Sequence, residues 1–391
     1  PHGYVLISTR RDALVAPVRR QLLWVAAAAG LAVCLCAMAG FRFVSRRTLK
    51  PLNVLGQAAR AVSATARLSH GGEESDADAG TTRAEAIRDL ECIQKIRTGD
   101  EVEDLAGDFA VMTSRVLRYH REMEAEVAAK TAVIHEDLEM AREFQNALMP
   151  TDYPEVPTAG LASRLRLRFA HFYQPADKVG GDFFDLIVFD DYRAGVLIAD
   201  VMGHGARSAL VTAIVQGLVR DRSGSAIEAG AFLGELNQHL HEVISRSGQV
   251  LCVTAFIIIL DTRLARAEWA VAGHPAPFLG RRDGGSPPQP LWNKSPGQPA
   301  LALLPDSAYE TQRADLEAGD VFLLFTDGAL EAENPDGEQF GVDRLNASFE
   351  ASLGAPLDKI PESVVRSLAS HLDGGRCEDD VCLVAIEAEA P

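Results

Sequence analysis

The segment from Val179 to Gly205 leaves this chain the fewest structural choices, because it predicts a β-hairpin with an acidic residue on each side of its base. Residues 183–189 and 195–199 are apolar runs rich in Phe, Val and Ile, and a short acidic turn separates them. Pairing the two arms about that turn places Asp182 opposite Asp200. Two facing carboxylates repel each other unless one is protonated or a cation neutralises them. The hairpin therefore predicts a cation site at its open end.

Three more acidic residues stand at the ends of predicted strands further along the chain. Asp327 follows the apolar run 321–325, and Asp379 and Asp380 directly precede the run 381–386. Each of these acids alone also fits an ordinary turn or a solvated strand end, as do the two acids of the hairpin. Considered together, they form a set of carboxylates at strand ends.

The composition of this set points to a particular chemistry. Oxygen ligands without His or Cys suit a hard cation, Mg²⁺ or Mn²⁺, rather than zinc. Two such ions about 4 Å apart can bridge a water, lower its pKa and direct it in line at phosphorus. The sequence contains no G-x-S-x-G motif, no P-loop and no glycine-rich dinucleotide motif. The set therefore predicts phosphoryl hydrolysis without a covalent protein nucleophile.

The charge balance argues against a nucleic-acid partner. The chain has a formal net charge of −17, although residues 1–60 hold nine Arg or Lys and one acid. The rest of the chain is therefore strongly acidic, whereas nucleic-acid binding needs a basic face. The six cysteines form no C-x-x-C pair and no zinc-like spacing, which predicts free thiols in a reducing compartment.

An uncharged stretch of 20 residues, Leu22 to Phe41, lies between clusters of arginine. This length matches the hydrocarbon core of a bilayer, and the stretch lacks the polar stripe of a soluble core helix. We therefore predict a transmembrane helix at residues 21–44. The more basic flank follows the helix, which predicts that the C-terminal side lies in the cytoplasm. Residues 1–20 are expected to be the extracytoplasmic tail of a longer sensor region.

Residues 45–115 contain two helical patterns joined by a polar connector. The first pattern begins near Pro51, the connector runs from Ser69 to Thr82, and the second pattern opens at Gly99-Asp100-Glu101. This arrangement resembles a HAMP domain, the parallel four-helix relay of bacterial receptors. A plain juxtamembrane coiled coil is the alternative.

The second helical pattern continues without a break, with seam positions in steps of four, three and four. The repeat closes every 11 residues, at Met112, Met123, Ile134 and Gln145. Such a period is typical of a nearly straight or slightly right-handed coiled coil. Residues 112–150 are therefore predicted to be a coiled-coil linker that holds two chains as a homodimer. An amphipathic helix packed on its own domain is the alternative.

Residues 160–391 change to short apolar runs that alternate with helical patterns, which predicts an α/β-layered domain. Strands are predicted at 165–172, 183–189, 195–199, 252–260, 267–271, 321–325 and 381–386. Helices are predicted at 206–219, 229–245, 342–350 and 360–372.

Six motifs in this part of the chain come in the order of a known family. They are Leu148-Met149-Pro150, the runs 175–185 and 199–205, Ala272-Gly273-His274-Pro275, Phe325-Thr326-Asp327-Gly328 and Asp379-Asp380-Val381. Over about residues 148–387 the chain resembles the SpoIIE-type phosphatases of the PPM (protein phosphatase 2C-like) superfamily. The resemblance implies an α+β fold, a β-sandwich flanked by helices. The whole chain would then be this sandwich preceded by a transmembrane helix, HAMP-like helices and a coiled-coil linker.

The resemblance also implies a site for two Mn²⁺ or Mg²⁺ ions. Asp200 would bridge both metals, the Val201 carbonyl would join it, and Asp182 and Asp327 would each bind a metal directly. Of the final acidic pair, Asp379 is a better candidate ligand than Asp380. Asp182, Asp200 and Asp327 are the expected catalytic acids.

Four residues depart from the family pattern or invite a different role. Met202 stands where a small polar residue is usual, and Cys382 stands where a Thr is common. Neither is expected to bind metal. His204 and His274 lie in turn motifs, and we expect both to be structural rather than proton donors.

These features together predict a membrane-anchored, signal-regulated protein serine/threonine phosphatase of the bacterial cytoplasmic membrane, with its catalytic domain in the cytoplasm. Relatives of this type act on phosphoserine or phosphothreonine, typically on a STAS-domain anti-sigma-factor antagonist in partner switching, which is the expected protein partner. Two alternatives come from other classes. A sensor histidine kinase would use His135 as phosphoacceptor, and a catalytically silent receptor scaffold would only relay the signal.

Overall fold

The computed structural model describes residues 11–68, 88, 91–203, 205–220, 227–246, 248, 251–291 and 298–391, with the side chains of the first helical stretch described from 19 to 60. The chain divides into two compact units, Pro1–Thr131 and Ala132–Pro391. Helix α1 spans Arg11–Val44, a π-helical segment Ser45–Leu49 follows it, and then come α2, Lys50–Leu68, and α3, Glu101–Leu148. The boundary between the two units falls inside α3.

The helical stretch Arg19–Arg60 has the length and apolar composition needed to cross a membrane. Its most apolar window has a mean hydropathy of 2.3, and none of that window is buried within the protein. Large side chains such as Trp24 and Phe41 are exposed. A buried core helix would show the opposite pattern, so by length and composition this helix is a candidate membrane span.

The first unit has a small apolar core of its own, formed by Leu55 and Ala58 of α2 with residues that precede and begin α3. Those residues are Ile93, Ile96, Ala106 and Ala110. The start of α3 is capped, because the Glu103 carboxylate accepts the N–H groups of Thr98 and Gly99. The predicted connector, residues 69–82, lies outside the described residues, and the HAMP-like assignment stays a prediction.

Ten strands form the centre of the second unit. They are β1 Arg166–Gln174, β2 Phe183–Val188, β3 Arg193–Val201, β4 Val253–Asp261, β5 Arg266–Ala272, β6 Phe278–Arg281, β7 Gln289–Pro290, β8 Gln312–Asp315, β9 Asp320–Phe325 and β10 Val381–Glu389. One antiparallel sheet has the order β1-β10-β9-β6-β7, and the other has the order β2-β3-β4-β5-β8. Since the two sheets share one apolar cluster, they form a β-sandwich.

Five helices complete this unit: α4 Ala206–Arg220, α5 Ala229–Arg246, α6 Gly328–Glu331, α7 Gly341–Ser352 and α8 Lys359–Leu372. Helices α4 and α5 pack on the sheet that contains β3, and α7 and α8 pack on the sheet that contains β9. The alternation along β9 explains its continuous apolar sequence. Phe322 and Leu324 point into the sandwich, whereas Leu323 and Phe325 pack against the helices. The predicted sandwich flanked by helices is confirmed.

Every strand and helix predicted in this unit is present, with ends shifted by up to three residues. Four short elements were not predicted: β6, β7, β8 and α6. Strand β8 has the sequence Gln-Arg-Ala-Asp and lies at the edge of its sheet, paired only with β5. An edge strand with polar residues lacks the apolar alternation on which the prediction depended.

Candidate metal centre

The hairpin of β2 and β3 has the predicted register. Phe183 pairs with Ala199, and the Val201 N–H donates to the Gly181 carbonyl at 3.2 Å, which extends the same register past the strands. Asp182 therefore lies opposite Asp200 at the open end of the hairpin. The pairing continues because the apolar arms alternate between the two cores on either side of the sheet.

The acids of the other sheet come to the same end of the sandwich. Leu383 of β10 pairs with Phe325 of β9, so the residues before β10 lie beside those after β9. Thr326 extends this pairing, since its N–H donates to the Cys382 carbonyl at 3.1 Å and its hydroxyl accepts the Cys382 N–H at 3.0 Å. Asp327 then begins the short helix α6.

Burial and mutual repulsion act on the two carboxylates of the hairpin. Burial, followed by the charge of Asp200, raises the pKa of Asp182 well above its ordinary value. Burial, followed by the charges of Asp327 and Asp379, raises the pKa of Asp200 to about 7. Such a pair retains a proton near neutral pH unless a cation neutralises it. The geometry therefore favours a cation at this position.

The acids after β9 and before β10 differ in burial and in their hydrogen-bond partners. Burial, followed by the charge of Asp379, raises the pKa of Asp327. Asp379 is exposed, and its charge acts on both Asp200 and Asp327. Asp380 is buried instead, and its carboxylate accepts three backbone N–H groups, from Ala176 at 2.8 Å and from residues 181 and 182 at 2.6 and 3.3 Å. Asp380 thus binds the loop that leads into β2.

Close backbone approach explains three glycines at this end of the sandwich. A Cβ on Gly181 would lie 2.6 Å from the Val201 carbonyl oxygen. A Cβ on Gly180 would overlap the Asp380 carboxylate, and one on Gly328 would overlap the Asp380 carbonyl. Gly180 and Gly181 form the loop before β2, called the glycine loop below. The Val201 carbonyl, which the family resemblance assigns to a metal, therefore faces this loop beside the hairpin acids.

The donor set fits a hard cation, although it does not enclose one by itself. The Asp182 Oδ2 atom is buried and has no hydrogen-bond partner, so a ligand-type oxygen is available at the centre of the set. Within the part of the chain that the structure describes, no three His, Cys, Asp or Glu side chains converge closely enough to hold an ion alone. Mg²⁺ commonly keeps several waters and binds through one or two carboxylates, so this arrangement suits it.

The residues that departed from the family pattern take no part in the donor set. Cys382 is fully buried, and Met202 is exposed beside Cys252, with the two sulfur atoms 3.8 Å apart. All six cysteines are free. His204 lies outside the described residues. His274 is buried, with both ring nitrogens within hydrogen-bond distance of protein atoms.

The end of α3 contacts the glycine loop, which the sequence did not predict. Gln145 was predicted to lie in the seam of a coiled coil, and its side chain is buried within the second unit, to which it belongs. Its amide nitrogen donates to the Gly180 carbonyl at 2.8 Å, and its amide oxygen accepts the Gly180 N–H at 3.1 Å. Nearby, Lys178 donates to Glu139 at 2.6 Å and also contacts His135. The last turns of α3 therefore contact their own domain, and the coiled-coil linker at residues 112–150 stays a prediction.

A polar cavity of about 370 Å³ opens beside the Asp379 end of this set. It is lined by residues that follow β9 and precede β10, among them Gly328, Glu331, Glu333, Gln339 and Arg376.

Comparison with known proteins places this arrangement in context. The profile of the family described as "Stage II sporulation protein E (SpoIIE)" matches residues 190–389, just over half of the chain. Protein IcfG of Synechocystis is 23% identical over 332 residues, which cover 78% of this chain and 49% of that protein. Phosphoserine phosphatase RsbP of Bacillus subtilis is 25% identical over 220 residues, which cover 56% of this chain and 51% of that protein.

A solved structure has the same fold. The SiaA-PP2C domain of Pseudomonas aeruginosa superposes with a TM-score of 0.56 and 25% identity, covering 66% of this chain and 99% of that domain. The chain spans about half the length of the two curated relatives.

Proposed function

The chain belongs to the SpoIIE family of PPM-type phosphatases, and from this premise we propose that it hydrolyses phosphoserine or phosphothreonine in a protein substrate. The observation that carries the proposal is the buried Asp182 opposite Asp200, because such a pair can be fully ionised near neutral pH only when a cation neutralises it. The name of one relative, a phosphoserine phosphatase, supports the substrate class.

We assign the metal ligands to the two edges that meet at this end of the sandwich. Asp182, Asp200 and the Val201 carbonyl come from one sheet, and Asp327 and Asp379 come from the other. When bound, two Mn²⁺ or Mg²⁺ ions supply a water of lowered pKa and neutralise charge on the phosphoryl group. The carboxylates would hold the ions, and water would complete the coordination, because among the described residues the side chains do not enclose an ion alone.

The two acids of the final pair, Asp379 and Asp380, have different roles in this proposal. Both oxygens of Asp380 already accept backbone N–H groups, whereas Asp379 is exposed and its charge raises the pKa of both Asp200 and Asp327. These contacts support Asp379 as the metal ligand. Asp380 then holds the loop that positions Asp182.

The membrane anchor and the dimer belong to the same proposal. The candidate span Arg19–Arg60 supports an anchor in the cytoplasmic membrane, with the catalytic unit in the cytoplasm. Exposed apolar residues of α3 support pairing of two chains along this helix, among them Met112, Met123, Val127 and Ile134. The substrate we infer is a STAS-domain anti-sigma-factor antagonist in partner switching.

The test uses the full chain in detergent, a phosphoserine protein substrate and added Mn²⁺. We expect metal-dependent release of phosphate that chelation stops and that Asp200→Asn abolishes, while Asp315→Asn, an exposed acid of β8, retains activity. Equal turnover of Asp200→Asn and the parent chain at saturating Mn²⁺ would contradict the proposal. Transfer of labelled phosphate from ATP to His135 would instead favour the histidine-kinase alternative.

A further inference from the structure

His274 connects the two sheets of the sandwich at the end where the carboxylates lie. Its Nδ1 atom is 2.9 Å from the Thr254 hydroxyl, and its Nε2 atom is 3.1 Å from the Phe325 carbonyl oxygen. Thr254 belongs to β4 in one sheet, and Phe325 ends β9 in the other. The imidazole is buried, so water does not compete for either bond.

The hydrogen-bond partners determine the protonation of this ring. A carbonyl oxygen only accepts, so Nε2 must carry the hydrogen and donate to Phe325. Nδ1 is then the acceptor, and the Thr254 hydroxyl donates to it. Burial lowers the pKa of His274 to about 3, which keeps the ring neutral in this arrangement. With both nitrogens occupied, the ring has no free proton to give to a leaving group.

Each of the two residues that His274 contacts lies close to a proposed metal ligand. Thr254 pairs directly with Asp200 across β3 and β4. Phe325 is two residues before Asp327, and the residue between them is fixed by its bonds to Cys382. The turn that brings the ring to this position depends on Gly273, which has φ +69° and forms a bridge with Ala255 next to Thr254.

We propose that His274 is a positioning residue that fixes the spacing between Asp200 and Asp327 across the two sheets, and thereby the affinity for divalent cations. The inference rests on the proposed metal centre. Two carboxylates on different sheets can share a pair of ions only at one separation, and a sandwich has no backbone hydrogen bonds between its sheets to maintain it. The Thr254–His274–Phe325 bridge provides one such connection, and it joins the strands next to Asp200 and Asp327, whereas the Asp380 carboxylate joins the sheets at the loop before β2.

The test measures binding of Mn²⁺ alone to the full chain in detergent, from the electron paramagnetic resonance signal of free Mn²⁺. Thr254→Val removes the hydroxyl donor, and His274→Gln keeps an N–H donor toward Phe325 but loses the aromatic bridge. Since one buried hydrogen bond contributes about 0.5–1.5 kcal/mol, we expect each variant to raise the Kd for Mn²⁺ by roughly 2- to 12-fold. The double variant should add little beyond the larger single effect, because both changes break one bridge.

Thr262→Val is the matched control. Its hydroxyl is also buried and donates to the Tyr192 carbonyl at 2.9 Å, but it follows the opposite end of β4. We expect it to lower the unfolding temperature without changing the Kd for Mn²⁺. Saturating Mn²⁺ should restore the turnover of Thr254→Val and His274→Gln, which a merely misfolded variant would not show.

The possible failures are distinguishable. If the parent chain and Asp200→Asn bind Mn²⁺ equally, the proposed function fails and the role of His274 fails with it. If only Asp200→Asn loses binding, and Thr254→Val keeps the parent Kd, the metal centre stands and the inference about His274 is overturned. Should His274→Gln not fold, Thr254→Val alone decides, because it changes one hydroxyl.

Discussion

Asp185 of β2 should make the second unit less stable as the pH rises. The side chain is buried, and burial raises its pKa from the ordinary 3.8 to about 6, although Arg220 opposes the rise. Between these two values the folded chain holds a proton that the unfolded chain has lost. The contribution of Asp185 to stability is therefore greatest below about pH 4 and falls until the pH passes about 6.

The size of the effect follows from the two pKa values. The difference between a pKa of 3.8 and one of about 6 corresponds to a loss of on the order of 3 kcal/mol in the free energy of unfolding once the carboxylate is ionised. About 2 kcal/mol of that penalty should develop between pH 4.5 and pH 8. Asp185→Asn removes the ionisation and keeps an oxygen that can accept the Leu186 N–H, as Asp185 does at 2.9 Å. At roughly 2–4 °C per kcal/mol, its advantage in unfolding temperature should grow by about 4–8 °C over this pH range.

The assay is thermal unfolding of the full chain in detergent at both pH values. The comparison between the two pH values separates the charge from any packing change, because a packing change acts equally at both. Asp315→Asn removes an acid at an exposed position of β8 and is the control; its unfolding temperature should stay close to that of the parent chain. If the difference in unfolding temperature between Asp185→Asn and the parent chain stayed constant, or became smaller toward pH 8, this reasoning would be refuted.

Three further outcomes are expected from the site and the linker. Asp379→Asn should weaken Mn²⁺ binding without changing the unfolding temperature, whereas Asp380→Asn should lower that temperature, because its carboxylate holds three backbone N–H groups; calorimetry and Mn²⁺ titration distinguish them. Gly180→Ala should reduce turnover while circular dichroism stays near that of the parent chain, because the added Cβ overlaps Asp380 and the Tyr173 hydroxyl and displaces only the loop. Deleting residues 124–127 should separate activity from the membrane segment, since four residues turn the rest of α3 by a net 40° or so, and phosphatase assays of the full chain in vesicles would detect the change.

The hairpin and its acids could be predicted because their pattern is local. Alternating apolar residues determine the register of β2 and β3, and the register alone brings Asp182 to Asp200. The roles of Asp379 and Asp380 could not be separated in this way. Adjacent residues at the start of a strand point in opposite directions. Only the position of the glycine loop shows that Asp380, and not Asp379, accepts its N–H groups.

Gln145 and His274 show a second reason why sequence patterns did not predict every contact of the candidate site. A helical repeat identifies the face of α3 that is buried, but not whether the partner is a second chain or the same domain, and Gln145 contacts its own domain. His274 was expected to be structural. Its two partners lie 20 and 51 residues away on different sheets, so the sequence contains no pattern that connects them.

The position of β10 has a consequence for how the chain is made. Strand β10 lies between β1 and β9, so the edges of these two strands that face it stay unpaired until β10 itself has been synthesised. A domain that folds as it emerges would wait with two open strand edges, which are prone to pair with other chains. Asp379 and Asp380 directly precede β10, so the nascent chain would gain the proposed metal ligand and the loop anchor only when this strand completes the sheet. A chain truncated before Asp379 would therefore lack both of these acids and the strand that joins β1 to β9.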